Sequence, residues 1–239
     1  MSQERLLDIL ERKNHWAWPW FAGGRVPLPR LLAHFQQEWE VYVRDFPLLL
    51  ARVLGHRPPQ DVCRMLAENI YEEQTGGLSR SAPHPELFLR LMEGCGYQRQ
   101  DFDNVELSPA ARAYRDFLDA ASWGTPWVVG AAVLTLFVEG SAGERKELAA
   151  LDGPPQTEAE IEAALLRHPL VRVHGLDPKF LELQRVHKQV EGGHRRDAWD
   201  AVLHNAGPHA AEVERALEKA LGLWLAYRDE VAAACGLSR

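Results

Sequence analysis

Helical periodicity is the feature that most constrains the fold of this chain. Apolar residues recur every three or four positions along most of the sequence, whereas the period-two alternation of β-branched residues that marks strands is nearly absent. Ser108-Pro109 and Thr125-Pro126 each combine an N-cap residue with a proline at the first helical position. One stripe within this pattern consists of Leu32, Phe35, Trp39, Tyr42, Phe46 and Leu49. The pattern predicts an all-α protein.

We expect seven to eight helices with short connections. No linker, repeat or low-complexity tract divides the chain, so residues 1–239 are expected to form a single helical domain. Residues 1–27 contain an aromatic segment that is expected to pack on the bundle as a loop. The longest predicted helices cover about residues 29–54, 125–150, 177–205 and 208–234.

Charge and cysteine content exclude several classes of protein. The net charge is −7 and there is no long run of Lys or Arg, which argues against a nucleic-acid partner. Three cysteines without a CxxC pair are typical of reduced thiols in a cytoplasmic protein. The start lacks an apolar signal region, and the longest apolar run, around residues 127–138, is too short to span a bilayer. We therefore expect a soluble, cytoplasmic protein without a membrane partner.

The predicted helix that begins at Asp177 carries the pattern His187-x-x-x-Glu191-x-x-His194. At about 100° per residue, positions i, i+4 and i+7 lie within about 60° of each other on a helix surface. This face otherwise carries apolar residues, and burying ionisable groups without partners is costly. A divalent metal is one shared partner for two imidazoles and a carboxylate. Half-buried histidines on a helix flank are the alternative explanation.

Three further donors lie on other predicted helices. Glu73 follows the stripe Val62, Leu66, Asn69, with Glu72 expected to point further round, and His84 stands at a helix start. Glu139 lies on the inward stripe of an apolar helix. Taken singly, Glu73 could be a surface acid near a helix end, and Glu139 an acid at a helix exit. Together, three Glu and three His from four segments suit two metals with open coordination positions.

These motifs resemble the haem-oxygenase-like diiron oxidases and oxygenases. The resemblance covers roughly residues 28–206 and rests on motifs in a fixed order, namely Asn69-Ile70-Tyr71-Glu72-Glu73, His84-Pro85-Glu86-Leu87-Phe88, Gly94-Cys95-Gly96, Thr125-Pro126-Trp127, Glu139 and the His187 pattern. The superfamily also contains the pyrroloquinoline-quinone synthase PqqC, the TenA thiaminases and the Chlamydia protein associating with death domains. The resemblance implies a haem-oxygenase-like helical bundle.

The resemblance also implies a ligand set and a cofactor. Two Fe²⁺ ions that react with O₂ would be held by Glu73, His84, Glu139, His187, Glu191 and His194. Three departures from the family pattern stand out. Glu191 lies where an Asp is usual, the loop between Glu73 and His84 is extended, and residues 144–176 resemble an insertion. The first two could change metal spacing, and the third could reshape the substrate pocket.

The function expected from this resemblance is iron- and O₂-dependent oxidation of a small amine- or amino-acid-derived substrate by a homodimer. Glu73, Glu139 and His187 would take part in catalysis. Arg172, Lys188 and Arg195, together with Arg196, are candidates for binding a substrate carboxylate, although a solvated helix face also explains them. Two alternatives stay open. One is a metal-independent PqqC- or TenA-like enzyme with His187 and His194 as acid and base, and the other is a non-catalytic helical binding protein.

Overall fold

The computed structural model describes the backbone of residues 1–239 and the side chains of residues 1–190 and 193–239. No strand occurs in any residue that it describes, which confirms the predicted all-α fold. Two π-helical segments, Trp39–Val43 and Ala132–Val138, and short 3-10 turns interrupt or extend the helices. The α-helices are α1 (Gln3–Glu11), α2 (Trp18–Ala22), α3 (Leu28–Glu38), α4 (Phe46–Gly55), α5 (Gln60–Thr75), α6 (His84–Gly94), α7 (Pro109–Gly124), α8 (Trp127–Ala131), α9 (Glu144–Ala150), α10 (Glu158–Leu166), α11 (Pro169–Arg172), α12 (Glu182–Asn205) and α13 (Ala210–Ala234).

The N-terminal residues belong to the bundle. Helix α1 packs against α13 and α9 and buries an apolar face of Leu6, Leu7, Ile9 and Leu10. The following aromatic segment was expected to be a loop, but part of it forms the short helix α2. Within it, Trp18 packs on Trp224 of α13 with ring centroids 6.1 Å apart. The buried side chains of α1 therefore join the same apolar core as the central helices.

The single helix predicted over residues 29–54 is interrupted. Helix α3 continues into the π-helical segment Trp39–Val43, a turn follows at Arg44 and Asp45, and α4 starts at Phe46. Pro47 explains the break, because a proline ring inside a helix would clash with the carbonyl four residues earlier, here that of Val43. The π-helical segment consequently lies at the end of a helix, where it faces the interior.

The helix predicted over residues 125–150 is also interrupted. Helix α8 continues into the π-helical segment Ala132–Val138, which ends just before Glu139, and α9 begins only at Glu144. Gly140 permits this turn, since a Cβ atom at that position would lie 2.0 Å from the carbonyl oxygen of Leu136. The break leaves Glu139 at the end of a buried segment.

Helix α12 brings the elements of the candidate site together. It packs against α5, α6, α8 and the π-helical segment Ala132–Val138. At 24 residues it is one of the two longest helices, together with α13. No helix in the part of the chain that the structure describes combines the length and apolar character needed to cross a membrane.

Candidate functional site

A cavity of about 240 Å³ lies between α5, α6, α12 and the two π-helical segments. Acidic and imidazole side chains form one part of its wall, and apolar side chains form another. Of the six predicted metal ligands, five line it: Glu73, His84, Glu139, His187 and His194. The sixth, Glu191, lies outside the described side chains. The helical spacing therefore predicted residues that the fold does bring to one place.

Glu72 also lines the cavity, contrary to our expectation that it points further round. Its side chain is buried, and its Oε2 accepts hydrogen bonds from the backbone N–H groups of Leu78 at 2.7 Å and Ser79 at 3.0 Å. Helix α5 ends at Gly76, whose φ of 64° reverses the chain. These bonds fold the loop after α5 back on the helix, so that His84 starts α6 beside Glu72 and Glu73.

His84 and Glu73 are in close contact. Nδ1 of His84 lies 2.8 Å from Oε1 of Glu73, yet this buried nitrogen makes no hydrogen bond of good geometry. Two donors that each lie about 2.1 Å from one metal ion, at a right angle, are about 3 Å apart. The spacing and the unpartnered nitrogen fit two ligands of a common cation.

The histidines have opposite electrostatic environments. Burial and the nearby charge of His84 lower the pKa of His187 to about 4. Burial also acts to lower the pKa of His84, but the carboxylates of Glu73 and Glu72 outweigh it and raise that pKa above its ordinary value. The two rings lie 5.1 Å apart between centroids. His187 is thus uncharged at neutral pH, as a metal ligand must be.

Glu139 is oriented from a neighbouring helix. Its Oε1 accepts a hydrogen bond of 3.2 Å from Nδ2 of Asn69, which is buried on α5. Asn69 was part of the predicted inward stripe of α5, but its bond to Glu139 could not be inferred because 70 residues separate them. The amide thus holds one carboxylate oxygen of Glu139, and Glu139 lines the cavity.

Of the cations proposed to bind substrate, Arg195 lines the cavity. Its guanidinium pairs with Glu144 and with Glu147, 2.7 Å away, and Glu144 also accepts a hydrogen bond of 2.9 Å from Nε1 of Trp199. Arg172 and Lys188 are exposed and do not line the cavity, and Arg196 is exposed and bonds to Asp152. Proximity in sequence to the predicted ligands therefore did not predict which of these cations line the cavity.

The donors do not form a completed metal site. Within the described residues, no three His, Cys, Asp or Glu side chains are grouped so that they could hold one metal ion. The chemistry of the set nevertheless suits iron, since carboxylate and imidazole donors are the ligands that non-haem iron uses. Tyr42 and Thr135 also line the cavity, from the two π-helical segments. Helical periodicity placed both on apolar stripes but assigned neither a role at the site.

Three comparisons with known proteins bear on this site. The sequence model of a family described as "Iron-containing redox enzyme" matches residues 33–228. A TenA homologue from Pseudomonas syringae pv. tomato strain DC3000 has a similar crystal structure, with a TM-score of 0.71 at 15% sequence identity, over 96% of this chain and 92% of that one. No curated protein matches the sequence. At this identity the structural similarity concerns the fold, and it confirms the haem-oxygenase-like helical bundle.

Proposed function

Since this chain belongs to the family of iron-containing redox enzymes, we propose that it is a non-haem diiron enzyme. It would use O₂ to oxidise a small amine- or amino-acid-derived substrate by N-oxygenation, desaturation or oxidative C–C cleavage. The observation that carries the proposal is the contact of the buried His84 with the partly buried Glu73, two donors at ligand–ligand distance whose imidazole nitrogen makes no hydrogen bond of good geometry.

The proposed ligands are Glu73, His84, Glu139, His187, Glu191 and His194, with Glu72 as a further carboxylate beside them. Bound iron supplies the electrons and the open coordination positions that O₂ requires. A centre of this composition is in keeping with helical bundles, which place metal sites among inward carboxylates and histidines of facing helices.

The side chains around the ligands have separate tasks in this proposal. His187 is already neutral, whereas the carboxylates that raise the pKa of His84 favour its protonated form, which competes with metal binding. Asn69 orients Glu139. The apolar wall of Val43, Phe46, Leu183 and Val190 excludes water from the reacting groups.

Arg195 is the proposed contact for a substrate carboxylate. It lines the same cavity as the ligands, so that a small amino acid could place its carboxylate at Arg195 and its amine or side chain near His84 and Glu139. Glu144, which lines the same cavity, pairs with Arg195 and holds its guanidinium in place. An arginine is suited to this task because its planar fork matches a carboxylate.

An anaerobic Fe(II) titration tests the proposed function. We expect wild-type protein to bind about two iron ions per chain, and His187→Ala to lose at least one of them because a neutral imidazole ligand is gone. His204→Ala is a matched control, since His204 lies on the same helix and is exposed. Unchanged binding in His187→Ala would contradict the ligand assignment.

The same titration separates the alternatives. A wild-type protein that binds no iron would overturn the diiron proposal and favour metal-independent acid–base chemistry, in which a neutral His187 could act as a base. A purely binding function would be favoured only if iron, O₂ uptake and turnover were all absent. In the N-terminal aromatic segment, Trp20 is exposed while Trp16 and Trp18 are partly buried, which leaves a small surface for that role.

A further inference from the structure

A buried lysine lies behind the cavity wall. Lys13 follows α1, is 6% exposed, and has its ammonium 4.7 Å from the centre of the Phe137 ring and 5.4 Å from that of Trp224. Its Nζ donates to the carbonyl oxygen of Phe137 at 2.6 Å and to that of Gly140. Lys13 does not line the cavity, so its contacts with the site go through the backbone.

The two carbonyls lie on either side of Glu139. The π-helical segment ends at Val138, and its last backbone hydrogen bond runs from the N–H of Glu139 to the carbonyl of Leu134, at 3.3 Å. The carbonyls of Phe137 and Gly140 are therefore beyond the helical hydrogen bonds, as are the last carbonyls of any helix. A buried carbonyl without a partner is destabilising, and Lys13 supplies a partner to both.

Burying a lysine at this position costs free energy. Burial, together with the charge of Arg228, lowers the pKa of Lys13 to about 7, although the carboxylates of Glu144 and Glu147 act in the opposite direction. A methionine would fill a similar volume beside Phe137 and Trp224 without this cost. The contact that a methionine could not make is the pair of hydrogen bonds around Glu139.

We propose that Lys13 is a positioning residue of the iron site, which fixes the backbone on both sides of Glu139 and so determines where that carboxylate meets the metal. This inference rests on the proposed function. Lys13 lies before residues 33–228, the part matched by the family. The N-terminal segment would therefore complete a site whose ligands all come from later helices.

The test replaces Lys13 by Met and measures Co(II) binding under anaerobic conditions from the visible absorption of the bound ion. Because residues that orient metal ligands typically contribute 10- to 100-fold to metal affinity, we expect Lys13→Met to bind Co(II) about 10- to 100-fold more weakly and with an altered spectrum. Ile9→Val is the matched control. Ile9 is fully buried on α1 and its truncation lowers stability without touching these carbonyls, so its Co(II) affinity should stay at the wild-type value.

A double-mutant cycle distinguishes positioning from general destabilisation. If Lys13 acts through Glu139, Lys13→Met should have little further effect in a Glu139→Gln background. An equal loss of affinity in both backgrounds would overturn the inference. If Lys13→Met does not fold, Lys13→Gln enters the cycle instead, because it keeps a donor and removes the charge.

The outcomes for the two proposals differ. A wild-type protein that binds no Co(II) overturns the proposed function and this inference with it. Tight binding by wild type and by Lys13→Met, with the same spectrum, overturns this inference alone. In the metal-free proteins, faster amide hydrogen exchange over residues 137–143 in Lys13→Met than in Ile9→Val is the expected result, and equal exchange contradicts it.

Discussion

At the scale of single residues, Glu72 has the clearest structural task. One carboxylate oxygen accepts two loop N–H groups, and the other lies 3.4 Å from Nε2 of His84. Removing the side chain by Glu72→Ala would leave two amides and one imidazole without their acceptor. We expect this variant to lose about 2–4 kcal/mol of unfolding free energy in urea and to bind iron more weakly, because the loop no longer holds His84.

Glu72→Gln is the matched comparison for that prediction. Its amide oxygen can still accept the N–H groups of Leu78 and Ser79, while its NH₂ group replaces the negative charge near His84. We expect it to keep more than half of the stability that Glu72→Ala loses. Equal losses in the two variants would show that the loop does not depend on these hydrogen bonds.

Glu72 also shows how far the sequence could predict this site. Helical spacing predicted one inward face with Asn69 and Glu73, and the fold brings both to the cavity. Glu72 and Glu73 follow Asn69 by three and four positions, and both spacings lie on the same side of a helix. The pattern could therefore not exclude Glu72. Arg195 turns to the cavity beside Glu144, which lies 51 residues earlier, and no local pattern reports that contact.

At the scale of helices, the two π-helical segments share one arrangement. Lys13 binds carbonyls at the end of Ala132–Val138, and Arg115 of α7 donates to the carbonyls of Glu40 and Val41 in Trp39–Val43. Both segments line the cavity. A π-helical turn disturbs the ordinary backbone hydrogen bonds and recurs at functional sites. Here a cation from a distant element compensates each disturbance.

Arg115 makes ion pairs in addition to its bonds to these carbonyls. It also pairs with Asp45 and Asp119, each at 2.9 Å, and its side chain is 11% exposed. Arg115→Met would take one of two arginine partners from each carboxylate, since Asp45 keeps Arg44 and Asp119 keeps Arg52. It would also remove the donor of two carbonyls in the π-helical segment, and we expect a loss of about 1–3 kcal/mol of unfolding free energy in urea. Arg112→Met is the control, because Arg112 is exposed on the same helix. A loss as small as that of the control would contradict this role for Arg115.

These interruptions were the part of the fold that the periodicity did not predict. A stripe from Leu32 to Leu49 continues across the turn at Asp45, since the apolar pattern reports which side is buried and not whether the backbone is continuous. Pro47 was the local signal for the first break. The second break occurs where Gly140 passes close to the carbonyl of Leu136, four residues earlier, a local backbone contact that the apolar periodicity does not report.

At the scale of the whole molecule, the sequence predicted the all-α bundle because the pattern repeats over many long segments. Its buried polar network was not predicted. Arg228 of α13 donates to Glu38 at 2.6 Å and lies 3.2 Å from Nδ1 of His34, and both partners belong to α3. Glu38 in turn accepts a hydrogen bond from Tyr42 in the cavity wall. This network connects the C-terminal helix to the candidate site and makes stability depend on pH.

His34 determines the pH window of that dependence. Burial lowers its pKa to about 4 in the folded protein, against the opposing effect of Glu38, while an unfolded chain has the ordinary value of 6.5. Between these values only the unfolded chain takes up the proton, so the free energy of unfolding falls as the pH falls. From pH 6.5 to 5 we expect metal-free wild type to lose about 2 kcal/mol more than His34→Gln, measured by urea unfolding. The exposed control His204→Gln should follow wild type. The same loss in all three proteins would mean that His34 can be protonated in the folded state, and that the network of Arg228 and Glu38 tolerates its charge.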